Sequence, residues 1–217
     1  MAFLNRQAFV SPQCKRVAQA SVQSSVLAQA MLFELAVALA EQLLSGDSLD
    51  WDSALDVAVR RQRRHFDARD PISIHEVDRG VALQVAENLA SMLKAAQPSG
   101  SPDELLFAPP ILGYQWIAST VGDFSIGNTL IEVKCTNRNF SSADYRQILM
   151  YWLLSYAGAL ERGTCEWSRL TLMNPRRCTS LTIESDELVR LLGAGRSKVE
   201  ILELFVSVVG ERRAKGP

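Results

Sequence analysis

Between residues 104 and 135 the chain has no room for a helix. Pro109-Pro110, Gly113, Gly122 and Gly127 break every window long enough to hold one. The runs between them favour strands: Glu104 to Phe107, Gly113 to Ser119, Phe124 to Ile126 and Thr129 to Cys135. Gly127-Asn128 is a two-residue turn between the last two, so the stretch reads as a β-meander.

Everything before the loop Gln97-Pro98-Ser99-Gly100-Ser101-Pro102 reads as helix. From about Ser11 to Ser45, apolar residues recur at three- and four-residue steps, predicting one long helix or two stacked ones. Asp50 or Asp52 caps a second helix through about Phe66, with Asp52 and Asp56 early and Arg60, Arg61, Arg63 and Arg64 late, as the helix dipole prefers. Asp70-Pro71 stops it. Ile74, Val77, Val81, Val85, Leu89 and Leu93 mark a third helix from about Ser73 to Ala96. After the meander come a helix from about Ser142 to Arg162, strands at Arg169 to Met173 and Thr179 to Ile183, and a helix capped near Ser185 or Asp186. Glu211 to Pro217 reads as a frayed tail. The expectation is an α/β fold, a mixed sheet flanked by helices, with a helical N-terminal extension over residues 1–70 and the main domain over 71–217.

With 217 residues, 47% of them hydrophobic, such a core can be filled. The 23 Lys and Arg against 24 Asp and Glu give no overall pull towards a polyanion, so any nucleic acid needs a local basic patch. The four cysteines, Cys14, Cys135, Cys165 and Cys178, lack the paired short spacing of a zinc site and are too few for a disulfide framework, which fits a reducing cytoplasm. The longest apolar run, Val26 to Leu44, carries Gln29, Glu34, Glu41 and Gln42, which are costly at bilayer depth, so no membrane partner is expected. No targeting segment is evident.

The strand Leu130-Ile131-Glu132-Val133-Lys134 carries the chemistry. Period two puts Glu132 and Lys134 on one face and Ile131 and Val133 on the other. Asp123, across the Gly127-Asn128 turn, falls on the neighbouring antiparallel strand, where both carboxylates can grip one cation. Hard oxygen ligands suit Mg²⁺, with Mn²⁺ as a substitute, and Lys134 can orient or deprotonate a water or neutralise developing charge. A bare E-x-K is weak, since a surface hairpin with solvated charges spells the same letters. The apolar neighbours Leu130, Ile131 and Val133 raise its value, because charges in a buried strand are costly unless they serve a site.

Asp123-x8-Glu132-Val133-Lys134 followed by Gln147-x3-Tyr151 resembles the PD-(D/E)XK nuclease superfamily, especially its RecB-like branch, over roughly Ile74 to Ile183. The resemblance implies a restriction-endonuclease-like αβββαβ core and metal-dependent phosphodiester hydrolysis, with DNA favoured over RNA, in defence, restriction or repair. It implies Asp123 and Glu132 as metal ligands, the Val133 carbonyl as a further ligand, and Lys134 assisting the water. It also places Gln147 beside the lysine and Tyr151 near the substrate backbone; the two are four apart on one helical face. Glu87, with Gly80 seven residues before it, is the candidate for the acid many members carry on the first core helix, and Glu76 is its competitor. Gly122 stands where the family name has proline, and the histidine of some RecB-like members is absent.

Arg176-Arg177 between the last strands is a candidate phosphate contact, and so is the group Arg60, Arg61, Arg63 and Arg64 with Arg69, although arginines at a helix end are more often solvated. His65 and His75 have no ligand partners at useful spacing, and Trp116, Trp152 and Trp167 are expected in the core. The N-terminal helices are read as a homodimer face, a partner-subunit face or a lid. The rival function is a nucleic-acid- or protein-binding module that holds without cutting.

Overall fold

A computed structural model describes residues 2–63, 73–98, 104–164 and 166–214, with side chains described as far as residue 210. Arg64, His65, Phe66, Arg69, Asp70-Pro71, Ser99 to Pro102 and Cys165 lie outside the described residues, as do the side chains of the C-terminal tail. The elements in chain order are α1 (Ala2–Arg6), β1 (Phe9–Val10), α2 (Gln19–Gln23), α3 (Gln29–Ser45), α4 (Trp51–Gln62), α5 (Glu76–Ala96), β2 (Leu105–Phe107), β3 (Pro110–Ile111), β4 (Thr120–Val121), β5 (Phe124–Ile126), β6 (Thr129–Val133), α6 (Ser142–Arg162), β7 (Arg169–Asn174), β8 (Thr179–Glu184), α7 (Ser185–Leu192) and α8 (Lys198–Ala214).

Six strands form one mixed sheet in the order β1-β8-β7-β6-β5-β2. The β5–β6 hairpin closes through Gly127-Asn128, with Ile126 paired to Thr129 and Phe124 to Ile131; Gly127 takes φ 50°, which glycine adopts without strain. β6 and β7 run parallel, Glu132 opposite Leu172, because α6 crosses over between them. The Ser141 hydroxyl accepts from the Asp144 N–H, the Asp144 carboxylate accepts from the Ser141 N–H in return, and Gly163 at φ 67° ends the helix. Helices cover both faces of the sheet. On one side α3, α4 and α5 pack with Phe124, Ile126, Ile131 and Met173; on the other α6, α7 and α8 pack with Leu130, Leu170, Leu172, Leu181 and Ile183. A strand buried on both faces has no solvent side, which is why β6 is apolar except at its site residues.

The first 62 residues differ from the expected helical extension. Residues 11–18 contain no helix: Ser11 N–H donates to the Cys178 carbonyl (2.8 Å), Val17 N–H to that of Arg176 (3.0 Å), and Lys15 exchanges two bonds with the Asn88 side chain. Those long-range bonds outcompete the local helical pattern. Phe9–Val10 adds an edge strand to β8, and Leu32, Leu35 and Leu39 of α3, each 0% exposed, belong to the same apolar cluster as α5 and β6. The N-terminal segment is therefore part of the sheet and of its core. α4 starts where expected, with the Asp50 carboxylate accepting from Asp52 and Ser53 N–H.

Gly113 to Ser119 is a tight loop with one Tyr114–Ile117 bridge, flanked by a small separate β3–β4 ladder. A Cβ at Gly113 would lie 2.3 Å from the Ile117 carbonyl oxygen, so the loop closes only over glycine. The C-terminal segment is helical as far as Ala214, where a frayed tail was expected from Glu211. Trp152 is fully buried, but Trp116 is 51% exposed, against the expectation of a core position. Cys14, Cys135 and Cys178 form no disulfide. No helix among the described residues is long and apolar enough to cross a membrane.

Candidate functional site

The register of the hairpin decides the site. Phe124 pairs with Ile131 and both point into the α3–α5 core, so Asp123 and Glu132, one step along, face the opposite side at the sheet's end. There they border a cavity of about 730 Å³ whose lining includes Lys134, Gln147 and Tyr151. The Asp123 carboxylate accepts from the Val133 N–H at 2.7 Å, which fixes it against β6. Lys134 Nζ donates to Glu132 Oε1 and to Gln147 Oε1, both at 2.7 Å. Gln147 Nε2 donates to the same Glu132 oxygen at 2.8 Å and lies 3.0 Å from the Tyr151 hydroxyl. A half-buried amide on an apolar helix has thus found partners for both ends.

Electrostatics mark the same residues. Burial raises the Asp123 carboxyl and pushes Glu132 up to about 7, where the Asp123 charge adds to the shift and Lys134 opposes it. The two carboxyls lie close enough for each to influence the other's titration. Desolvation pulls Lys134 down, but the charge and hydrogen bond of Glu132 together with the charges of Asp123 and Asp144 hold it above its ordinary range. Two adjacent carboxyls that burial holds above their ordinary range gain from a cation that supplies the missing countercharge.

Among the described residues no three His, Cys, Asp or Glu side chains cluster as ion ligands. The donor set is two carboxylates with the neighbouring backbone of β6, and this fits Mg²⁺, which binds through one or two carboxylates and keeps several waters. It does not fit zinc, which prefers nitrogen and sulfur in a closed shell.

Not all the expected residues join this group. Glu87 is exposed and borders a different depression with Gln13, Leu43 and Lys94, so α5 presents it away from Asp123; Glu76 is exposed as well. Arg176 is 3% exposed, hydrogen-bonded to Gln19 Oε1 and stacked over the Phe33 ring, which makes it an internal strut rather than an open phosphate contact. Arg177 Nη1 donates to Asn139 at 2.6 Å. His75 precedes α5, its N–H donating to Asp78.

Two residues were missed, Glu34 and Glu41 of α3, which line the cavity together with Arg61 of α4, one of the arginines weighed as phosphate contacts. Arg61 Nη2 donates to both oxygens of Glu41, at 2.8 and 2.9 Å. The available signal was the pair of acids two turns apart in an otherwise apolar helix, where a buried charge needs a purpose. No family model matches the chain, and no curated protein or solved structure matches it either.

Proposed function

We propose that this chain is a Mg²⁺-dependent nuclease of the PD-(D/E)XK kind, with Mn²⁺ as a substitute ion, that hydrolyses phosphodiester bonds in DNA. One observation carries the reading: Asp123 and Glu132 meet across a hairpin, beside Lys134 and Gln147, in a cavity large enough for a nucleotide. The succession α5, β2, β5, β6, α6, β7, in which an antiparallel three-stranded unit is followed by a crossover helix and a parallel strand, supports the αβββαβ core of a restriction-endonuclease-like fold.

Asp123 and Glu132 would hold the ion, which when bound lowers the pKa of water and offsets charge on the phosphoryl oxygens. The protein's own groups do the rest. The Val133 N–H orients Asp123. Gln147 binds the Glu132 oxygen and Lys134 together, so the ammonium stands at a fixed point beside the carboxylate. From there Lys134 orients the attacking water and neutralises the transition-state charge. Tyr151, one turn further along α6, is the candidate contact to the substrate backbone.

Metal-dependent cleavage of linear, circular and single-stranded DNA and of RNA tests the reading, with Asp123→Ala and Lys134→Ala beside the wild type. Cutting that both substitutions remove supports it; absence of cutting on every substrate, with no Mg²⁺ or Mn²⁺ binding in calorimetry, rejects it. The second reading is a module that holds nucleic acid or a protein without cutting; Arg176 is committed inside the fold, but Arg177, half-buried with an exposed bond to Asn139, can still meet a phosphate. Binding without cleavage in the same assay would favour it.

A further inference from the structure

Of the arginines described at the end of α4, Arg60 and Arg63 are exposed while Arg61 lines the cavity. Its partner Glu41 comes from α3, and the pair sits 28% and 17% exposed, inside the wall rather than out in solvent. Both hydrogen bonds run through Nη2, so the contact is not the two-nitrogen fork that arginine makes with a matched oxyanion. The Arg61 charge reaches Asp123 and lowers it, and the Asp123 charge in turn helps to raise Glu41, so the three groups lie close together.

The charge balance of the wall is what needs explaining. Leaving aside Glu34, which has an interaction of its own, the described lining sets three acids, Glu41, Asp123 and Glu132, against two cations, Arg61 and Lys134. Lys134 is engaged by Glu132 and Gln147. A wall with surplus acid repels phosphate. An ion on Asp123 and Glu132 would relieve that surplus at the hairpin, and Arg61 is then the cation placed on the opposite wall, on helices that the nuclease motif does not include. The cavity of about 730 Å³ is of small-ligand size. Such a volume takes a ligand about the size of a nucleotide, so one strand can enter it where the bulk of a duplex cannot.

We infer that Arg61 grips a phosphate of a single nucleic-acid strand entering this cavity, and that Glu41 is the partner it leaves to do so. The inference rests on the nuclease reading and gives it a substrate class, a strand or frayed end. Glu41 acts as a stand-in anion: it keeps the guanidinium in place in the free protein, and phosphate, with matched fork geometry, replaces it.

The test uses the full chain with a short fluorescein-labelled single-stranded oligodeoxynucleotide, read by anisotropy in Ca²⁺ and by cleavage in Mg²⁺, with melting temperatures recorded for every variant. Arg61→Ala is expected to weaken binding about tenfold and to lower the slope of log affinity against log salt by about 1. Arg61→Lys should restore part of the loss, and Glu41→Gln should tighten binding several-fold by removing the competing anion. A strut role predicts otherwise, because either substitution breaks the same pair and both would shift binding in one direction; that result overturns the inference. Equal competition by a blunt duplex overturns the single-strand part. Wild-type cleavage with Arg61→Ala binding and cutting normally sinks Arg61 and leaves the nuclease standing. If the wild type neither binds nor cuts any nucleic acid, both fall.

Discussion

Residues 123–151 reach the cavity through one hairpin and the helix that follows it, each neighbour placing the next. Residues 30–62 reach the same cavity from across the sheet, and what holds them there lies far away in sequence. In the first stretch Asp123, Glu132, Lys134, Gln147 and Tyr151 are joined by hydrogen bonds spanning at most fifteen positions. In the second, Asp78 accepts from Val26 and Leu27 N–H to fix the start of α3, over fifty positions away, and Leu32, Leu35 and Leu39 bury against α5. Short-range geometry makes a site; long-range packing decides what closes over it.

The harshest way to break that comparison is to remove the second stretch. A fragment beginning at residue 73 loses α3 and α4 from the core cluster shared with Val85, Leu89, Phe124 and Ile131, and loses β1 from β8. It is expected not to fold, since burial of that apolar surface is the main force holding the layer together. Soluble expression followed by urea denaturation decides the matter. A fragment that melts cooperatively would make residues 1–62 a separable addition after all.

Next in size is the first stretch. Asp123→Ala should reduce cleavage below detection, and Lys134→Ala should cost about 10²–10³ in kcat, the usual loss when one preorganised charge partner is removed. Asp123→Ala should keep the wild-type melting temperature to within a few degrees, while Lys134→Ala, which leaves the buried Glu132 without its cation, should melt lower but still cooperatively. Loss of folding with loss of activity would make the group structural.

A smaller effect sharpens the comparison at one residue. Asn88 donates to the Lys15 and Pro175 carbonyls at 2.8 Å and accepts from Lys15 N–H at 3.0 Å, tying the extended N-terminal segment to α5 and to the β7–β8 turn. Asn88→Ala leaves the Pro175 carbonyl unpaired at a buried contact and frees two part-buried Lys15 groups, and should cost about 2 kcal/mol in urea denaturation. A change under about 0.5 kcal/mol, the scatter of ordinary surface substitutions, would mean that packing alone holds residues 11–18.

The same contrast explains what could be read from the sequence. Gly127-Asn128 and the two-residue period set Asp123 and Glu132 on neighbouring strands, and the helix expected from about Ser142 to Arg162 is α6. These are local rules. Phe9–Val10 is too short to have a pattern and becomes a strand only because β8 offers an edge. α8 has apolar residues on several sides, with Val199 and Val208 exposed and Phe205 and Val209 buried, so no single face announced it. Arg61 carried the same sequence signal as Arg60 and Arg63; only the packing of α4 on α3 selects which of them meets Glu41. Glu87 shows the converse: its spacing suits the motif, but it borders a different depression from the one that Asp123 lines.

The smallest effect expected is a pH dependence. Glu132 titrates at about 7 in the fold against a reference of 4.5, so the folded state holds this proton more tightly than the unfolded chain. Its contribution to stability is complete below 4.5 and is lost as pH rises through 7. Asp123 and Glu41 are also raised, so they lean the same way, and the metal-free protein should lose stability from pH 5 to pH 8. The Lys134 bond to Glu132 does not reverse this within that window, because the lysine stays charged throughout. Glu132→Gln should flatten the slope without abolishing it, since the remaining acids still titrate. In the wild type at pH 8, Mg²⁺ should recover the loss by taking the place of the proton. Thermal melts at pH 5 and pH 8, with and without Mg²⁺, give the readout. A slope unchanged in Glu132→Gln would move its source from the hairpin to the wall built by α3 and α4, where Glu41 titrates beside Arg61.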